Sequence, residues 1–163
     1  MKLETGQLIY NLKEVLTGQP WYGSSVMKLL DGVDPFLVYK KPADGAHSMI
    51  DLLYHMLNWT AFTISRFEKN ESGDEEFENL DWRIIDPEQH VWEKGLAAFK
   101  SSNNHLLEFL ENEPDDFFLD EIVEGRTYNF RYLLNGLIQH HIYHSAQIAY
   151  VNKLYQNASE INK

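Results

Sequence analysis

Apolar residues recur at intervals of three and four along most of the chain, which is the spacing of one face of an α-helix. The stretches with this pattern lie at about residues 8–16, 48–70, 86–113 and 129–155. Glycine and proline near Gly18, Pro20 and Pro114 mark where helices should end. Several long helices joined by modest connections predict an all-α four-helix bundle, and we expect a single domain over residues 1–163.

The segments that connect these helices are expected to be less regular. Residues 21–30 should form a short helical segment, and residues 36–39 should be extended. The third long helix should open with Asp86 as N-cap and Pro87 at its first position. Residues 117–128 are expected to form a short irregular or β-like segment. The acidic cluster at residues 68–78 is typical of a solvated loop.

Composition narrows the class of protein. A net charge of −11 without a basic cluster argues against nucleic-acid binding, which needs cations for the phosphates. Because the chain has no cysteine, a disulfide framework, a cysteine nucleophile and a thiolate ligand are all excluded. No run of about 18 apolar residues and no apolar leader are present, so we expect no membrane association and a cytoplasmic location.

Two histidines in the last helical segment are spaced to share a ligand. His140 and His144 are four residues apart and therefore one helical turn apart on the same face. They continue the apolar stripe of Leu133 and Leu137, which predicts that they face the bundle interior. A shared metal ion would satisfy one nitrogen of each buried ring, although a hydrogen-bonded core pair is the alternative interpretation. The zinc-protease motif does not apply, because His141 stands where that motif needs glutamate.

A third candidate ligand lies in the second long helix. His55 falls on the apolar stripe near the middle of that segment, where an inward side chain could reach the same site. Asp51 and Asn58, about one turn to either side, are candidates for orienting its ring. Taken alone, His55 could equally be a satisfied core or boundary histidine. Three other histidines lack ligand spacing and are expected at the surface or at helix boundaries: His47, His90 and His105.

Together these features resemble the DinB/YfiT-like superfamily, whose members are described as metalloenzymes. The family pattern has a histidine in the middle of the second bundle helix and a last helix reading roughly His-x-x-x-His-Arg-Gly-Gln-Ile. The matching residues are His55, His140, His144 and the pair Gln147-Ile148. The aromatic stretch at residues 20–25 is also similar to the family's. Ser145-Ala146 replaces the Arg-Gly of many members, which removes a positive charge beside the site and any contact it would make to an anionic substrate.

A three-histidine site has a definite chemistry. Three neutral imidazoles leave a divalent ion its full charge and an open position, as in catalytic rather than structural zinc sites. Zinc or nickel suits imidazole best, and iron or manganese are further options. The resemblance implies thiol-dependent S-transferases and isomerases that use a low-molecular-weight thiol, and metal-assisted hydrolysis is an equally legitimate use of the site. The candidates for a general base near it are Tyr143, His141 and Gln147.

The sequence is also compatible with two other functions. One is a non-catalytic, metal-binding stress-response bundle that acts through dimerisation or a protein partner. Another, a DNA-damage effector, is suggested only by the family name and is disfavoured by the −11 charge. An enzyme should present an open coordination position to a pocket for a small-molecule substrate, whereas a structural site should have a fourth protein ligand. Bundles of this type often pair through helix faces, so we expect a homodimer.

Overall fold

The computed structural model describes residues 2–69 and 74–161, which form a mainly helical bundle. Its α-helices are α1 (Leu3–Thr17), α2 (Val26–Asp31), α3 (Met49–Phe67), α4 (Asp74–Asn79), α5 (Trp92–Asn112) and α6 (Phe130–Ile161). The long helices α1, α3, α5 and α6 build the bundle, in which α3 packs against α5 and α6, and α1 against the same two. The predicted all-α bundle is confirmed. In the part of the chain that the structure describes, no helix is long and apolar enough to cross a membrane.

Helix α3 is buried along most of its length and carries the first of the three candidate ligands. Its N-terminus is closed by a capping box, in which Ser48 Oγ accepts the Asp51 N–H at 3.3 Å and the Asp51 carboxylate accepts the Ser48 N–H at 2.8 Å. Glycine at position 95 lets α5 approach closely. A Cβ on Gly95 would lie 2.8 Å from the ring of Tyr54. The cap and this close packing fix the position of α3 in the bundle.

Residues 36–39 form turns, so the prediction of an extended segment is wrong. The Asp34 carboxylate accepts the Phe36 N–H at 2.9 Å, and the Asp34 carbonyl accepts the Leu37 N–H at 3.0 Å. These local side-chain and backbone bonds offer the chain a turn, which overrides the β preference of the aromatic and branched residues. The turns bury Val38 completely and leave Phe36 94% exposed.

The helix predicted to open with Asp86 as N-cap begins five residues later, with Val91 at the N-cap position and Trp92 as its first residue. The Asp86 side chain accepts the Glu88 N–H at 3.0 Å, and its carbonyl accepts the His90 N–H at 2.7 Å. This closes a single turn, after which Val91 is extended with φ −94° and ψ 137°. Aspartate and proline favour the start of a turn for the same reasons that they favour the start of a helix.

The C-terminal ends of α1 and α5 agree with the sequence pattern, whereas the short helical segment expected at residues 21–30 begins only at Val26, after turns at residues 21–24. Helix α1 ends at Thr17, and α5 ends at Asn112, just before Pro114. The excursion predicted at residues 117–128 is a short 3-10 helix, Phe117–Asp120, followed by an isolated β-bridge between Ile122 and Asn129. The acidic segment was expected to be a loop, and this prediction is wrong for helix α4, Asp74–Asn79, because glutamate is a good helix former and acidic residues favour a first helical turn. Residues 70–73 of that segment lie outside the described residues.

Candidate metal centre

The bundle brings the three predicted ligands together. His55 projects from α3, and His140 and His144 project from α6. The Nε2 atom of His55 lies 2.8 Å from that of His140 and 3.1 Å from that of His144. One ring nitrogen from each residue lies within 4.8 Å of the others, so the group could hold a metal ion. His55 and His144 are buried, and His140 is half-buried.

The carboxylate of Asp81 orients the ring of His55. His55 Nδ1 lies 2.8 Å from Asp81 Oδ1 and 3.2 Å from the Asp81 carbonyl oxygen. The indole N–H of Trp59 donates to the same carboxylate at 2.6 Å, which holds it in place. A carboxylate can only accept here, so the proton sits on His55 Nδ1 and Nε2 keeps a free lone pair. This is the outer support that metal-binding histidines usually have.

Gln147 plays the same part for His144. The His144 Nδ1–H donates to Gln147 Oε1 at 2.8 Å, which leaves His144 Nε2 unprotonated. His55 and His144 therefore direct two lone pairs at each other across 3.1 Å. Two such acceptors repel unless a donor or a cation lies between them. Bonds of 2.0–2.1 Å in a tetrahedral zinc site place ligand nitrogens about 3.3 Å apart. The His55–His144 separation is close to this spacing, whereas the 2.8 Å between His55 and His140 is a hydrogen-bond length that would have to widen around an ion.

All three rings are held in the neutral form that binds metals. Burial, followed by the neighbouring imidazoles, lowers the pKa of His140 to about 2. Burial also lowers the pKa of His144 to about 4, against the opposing effect of its bond to Gln147. For His55, burial lowers the pKa although the Asp81 carboxylate acts in the other direction. Because metal binding requires neutral imidazole, these nitrogens need not release protons at pH 7.

Aromatic rings cover one face of His55. The indole of Trp82 stacks on the His55 ring with centroids 3.9 Å apart, and His47 stacks against Trp82 at 3.6 Å. His47 is exposed, so this layer separates the triad from solvent on that side. Beside His140 there is instead a cavity of about 180 Å³ between α3 and α6. The centre therefore lies between a covered side and an accessible one.

Comparison with known proteins agrees with this geometry. A model of the DinB superfamily matches residues 24–148, a region that contains all three histidines and most of the bundle. The chain belongs to the DinB superfamily. The resemblance drawn from the short histidine motifs is thus confirmed. A search of curated proteins found no significant match to this DinB-superfamily chain.

The three candidates for a general base occupy different positions around the centre. Gln147 accepts the Nδ1–H of His144 at 2.8 Å and so supports that ring. Tyr143 is 62% exposed, and its ring makes an edge contact with His144 at 4.8 Å between centroids. His141 is completely buried, and its Nε2 lies 3.1 Å from Asn103 Oδ1 of α5, which holds the ring toward that helix. Catalytic roles for these three residues stay predictions.

The residues that support His55 are not those expected from the sequence. Asp51 binds Ser48 in the capping box, and the Asn58 side-chain amide donates to the Phe77 carbonyl at 2.8 Å. The supporting residues, Asp81 and Trp82, follow α4 and lie 26 and 27 positions along the chain from His55. No fixed spacing links a loop residue to a helix residue so far away. The only sequence signal is an aspartate-tryptophan pair after an acidic segment.

Proposed function

We propose that this DinB-superfamily protein is a divalent-metal-dependent enzyme whose metal ligands are His55, His140 and His144. The observation that carries the proposal is the convergence of three Nε2 atoms, two of them fixed as acceptors by Asp81 and Gln147. The group found among the described residues has three members. Structural zinc sites are closed by four protein ligands, whereas three leave a position for substrate.

Residues of the chain orient the ligand rings and keep water from one of them. Asp81 and Gln147 hold two ligand rings at fixed angles and fixed tautomers, and Trp82 keeps water from one face of His55. A bound zinc or nickel ion, or iron or manganese, would supply a Lewis acid that makes a bound water or thiol a better nucleophile at neutral pH. We propose a small-molecule substrate, a cytoplasmic location and a homodimer, as expected from the sequence.

The reaction that we favour is S-transfer from a low-molecular-weight thiol to an electrophile, as the family resemblance implies. Position 145 bears on the substrate's charge. Ser145 is buried, and its hydroxyl donates to the Ile142 carbonyl of its own helix at 3.1 Å. It therefore offers no cation where many family members have arginine, which favours an uncharged electrophile. Metal-assisted hydrolysis is the second reaction type that the same centre supports.

Activity assays on metal-loaded protein test this proposal. Untagged protein loaded with zinc, nickel or manganese would be assayed for thiol consumption with glutathione or cysteine and 1-chloro-2,4-dinitrobenzene, and for hydrolysis of p-nitrophenyl acetate. We expect metal-dependent turnover in at least one assay, lost in His140→Ala and retained in His105→Ala, whose histidine is exposed in α5. Metal binding without turnover in any assay would favour the non-catalytic bundle instead.

A further inference from the structure

The cavity beside His140 has an almost wholly apolar wall. It measures about 180 Å³ and lies between α3 and α6. Its lining includes Trp59 and Thr63 of α3, then Tyr128, and Tyr132, Gly136 and His140 of α6. Of the three candidate metal ligands, the one that lines it is His140. A molecule in this cavity would therefore contact one of the three candidate ligand residues.

The polar groups of the α3 wall are already engaged within the protein. The indole N–H of Trp59 donates to Asp81 at 2.6 Å, and the Thr63 hydroxyl donates to the Trp59 carbonyl at 2.9 Å. A charged group placed against this wall would lose part of its hydration without gaining a counter-charge, which is costly. An apolar group gains free energy in the same place because it leaves water. The wall thus selects against charge.

The size and the aromatic lining favour a ring. An enclosed apolar cavity of about 150 Å³ holds a benzene molecule, so about 180 Å³ is enough for one six-membered ring, whose outer edge would face solvent because the lining residues Tyr132 and Gly136 are exposed. Trp59, Tyr128 and Tyr132 supply rings for edge or offset contacts, which aromatic ligands prefer. Tyr128 and Tyr132 also contact each other, with centroids 5.2 Å apart.

We infer that this cavity binds an uncharged, ring-sized apolar part of the substrate beside the metal centre. The inference rests on the proposed function, which it narrows to substrates that carry a phenyl group or a branched alkyl group of similar size. The metal centre would then act on a polar group attached to that apolar part. Specificity would reside in the apolar wall, and chemistry in the histidines.

Substitution of Gly136 by a larger residue would fill the cavity. It lines the cavity, and a Cβ added there would meet no heavy atom within 4 Å. Gly136→Leu should therefore fold, since leucine is also a better helix former than glycine by about 1 kcal/mol. Its side chain would occupy space that a ring needs. Gly136→Ala is the matched control, because a single methyl group leaves most of the volume free.

The first arm of the test does not depend on metal. Metal-free protein would be mixed with benzyl alcohol, and binding would be followed by saturation-transfer NMR, with ethanolamine as a charged control. We expect saturation transfer to benzyl alcohol for the wild type and for Gly136→Ala, and its loss for Gly136→Leu. Equal signals from wild type and Gly136→Leu, or no signal from the wild type, would overturn the inference.

The second arm uses zinc-loaded protein and separates the two proposals. Benzohydroxamate and acetohydroxamate share a metal-binding group but differ by the ring, and their affinities would be measured by calorimetry. We expect benzohydroxamate to bind at least tenfold more tightly to the wild type, and the ratio to fall to about one in Gly136→Leu with zinc content unchanged. Equal affinities in the wild type would overturn the inference alone. Failure of both to bind, with ring binding intact in the first arm, would overturn the proposed metal centre instead.

Discussion

Asp81 is the residue whose replacement most sharply tests how the centre is built. Its carboxylate accepts the His55 Nδ1–H at 2.8 Å and the Trp59 indole N–H at 2.6 Å. Asp81→Asn keeps the size and an acceptor oxygen but removes the charge. The Asp81 side chain is 28% exposed, so water screens its bond to His55 only in part.

The size of the effect follows from the kind of hydrogen bond that is lost. A bond to a charged group contributes about 1.5–3 kcal/mol and a neutral one about 0.5–1.5 kcal/mol, a difference of about 1–1.5 kcal/mol. That difference corresponds to roughly a tenfold change in affinity. Loss of such a supporting partner typically weakens metal binding by about 10- to 100-fold, which agrees with this value. We therefore expect Asp81→Asn to bind zinc at least about tenfold more weakly.

Competition against a chromophoric chelator measures this affinity. Asp44→Asn, in an exposed loop, removes the same charge elsewhere and should bind zinc as the wild type does. Thermal unfolding of the metal-free proteins would show that both variants are folded. If Asp81→Asn bound zinc within twofold of the wild type, Asp81 would not support the metal site, and the described hydrogen bond would serve the fold alone.

Three further predictions concern stability. Phe62 is completely buried in α3, so Phe62→Ala should reduce the free energy of unfolding, measured by urea titration, by about 3–5 kcal/mol. The control Phe36→Ala, at a site 94% exposed, should change it by less than about 0.5 kcal/mol. A small loss in Phe62→Ala would contradict the described core. Ser48→Ala removes the side chain that caps α3 and should reduce the free energy of unfolding by about 0.5–2 kcal/mol. Ser101→Ala, at an exposed position, is the control, and equal urea midpoints for the two variants would argue against the cap. Burial lowers the pKa of His141 to about 3, whereas histidine in the unfolded chain has a pKa of about 6.5. Between these two values the unfolded state binds more protons than the folded state, so the free energy of unfolding decreases as the pH falls through this range. Metal-free protein should lose about 1.4 kcal/mol from His141 alone between pH 7.5 and 5.5, and unchanged urea midpoints would show that this ring is not buried as described.

Those parts of the fold that depend on local periodicity could be predicted from the sequence. An α-helix has 3.6 residues per turn, so this period alone puts each apolar stripe on one helix face and puts His140 and His144 on the same face. These placements do not depend on how the helices pack together. His55, which the sequence places on the apolar stripe of its helix, lies close to His140 and His144 in the structure. In each case the residues that matter lie on one helix face and need no knowledge of the loops.

What could not be predicted depends on competition between local hydrogen bonds or on distant contacts. Asp86-Pro87 has the signature of a helix start, yet the bonds of Asp86 close a single turn instead. Asp81 reaches His55 only because the chain after α4 folds back over α3. His141 follows His140 directly in the chain, yet its ring lies against a buried partner on α5, Asn103, at 3.1 Å. Such pairings depend on how the helices pack together.

The metal content of the purified protein tests the central claim most directly. Untagged wild-type protein, His144→Ala and His105→Ala would be exposed to zinc, nickel and manganese, desalted, and measured by elemental analysis, with circular dichroism to confirm helical structure. We predict about one ion per chain in the wild type and in His105→Ala, and none in His144→Ala. A wild type that retains no metal, or a His144→Ala variant that retains as much as the wild type, would contradict a three-histidine centre.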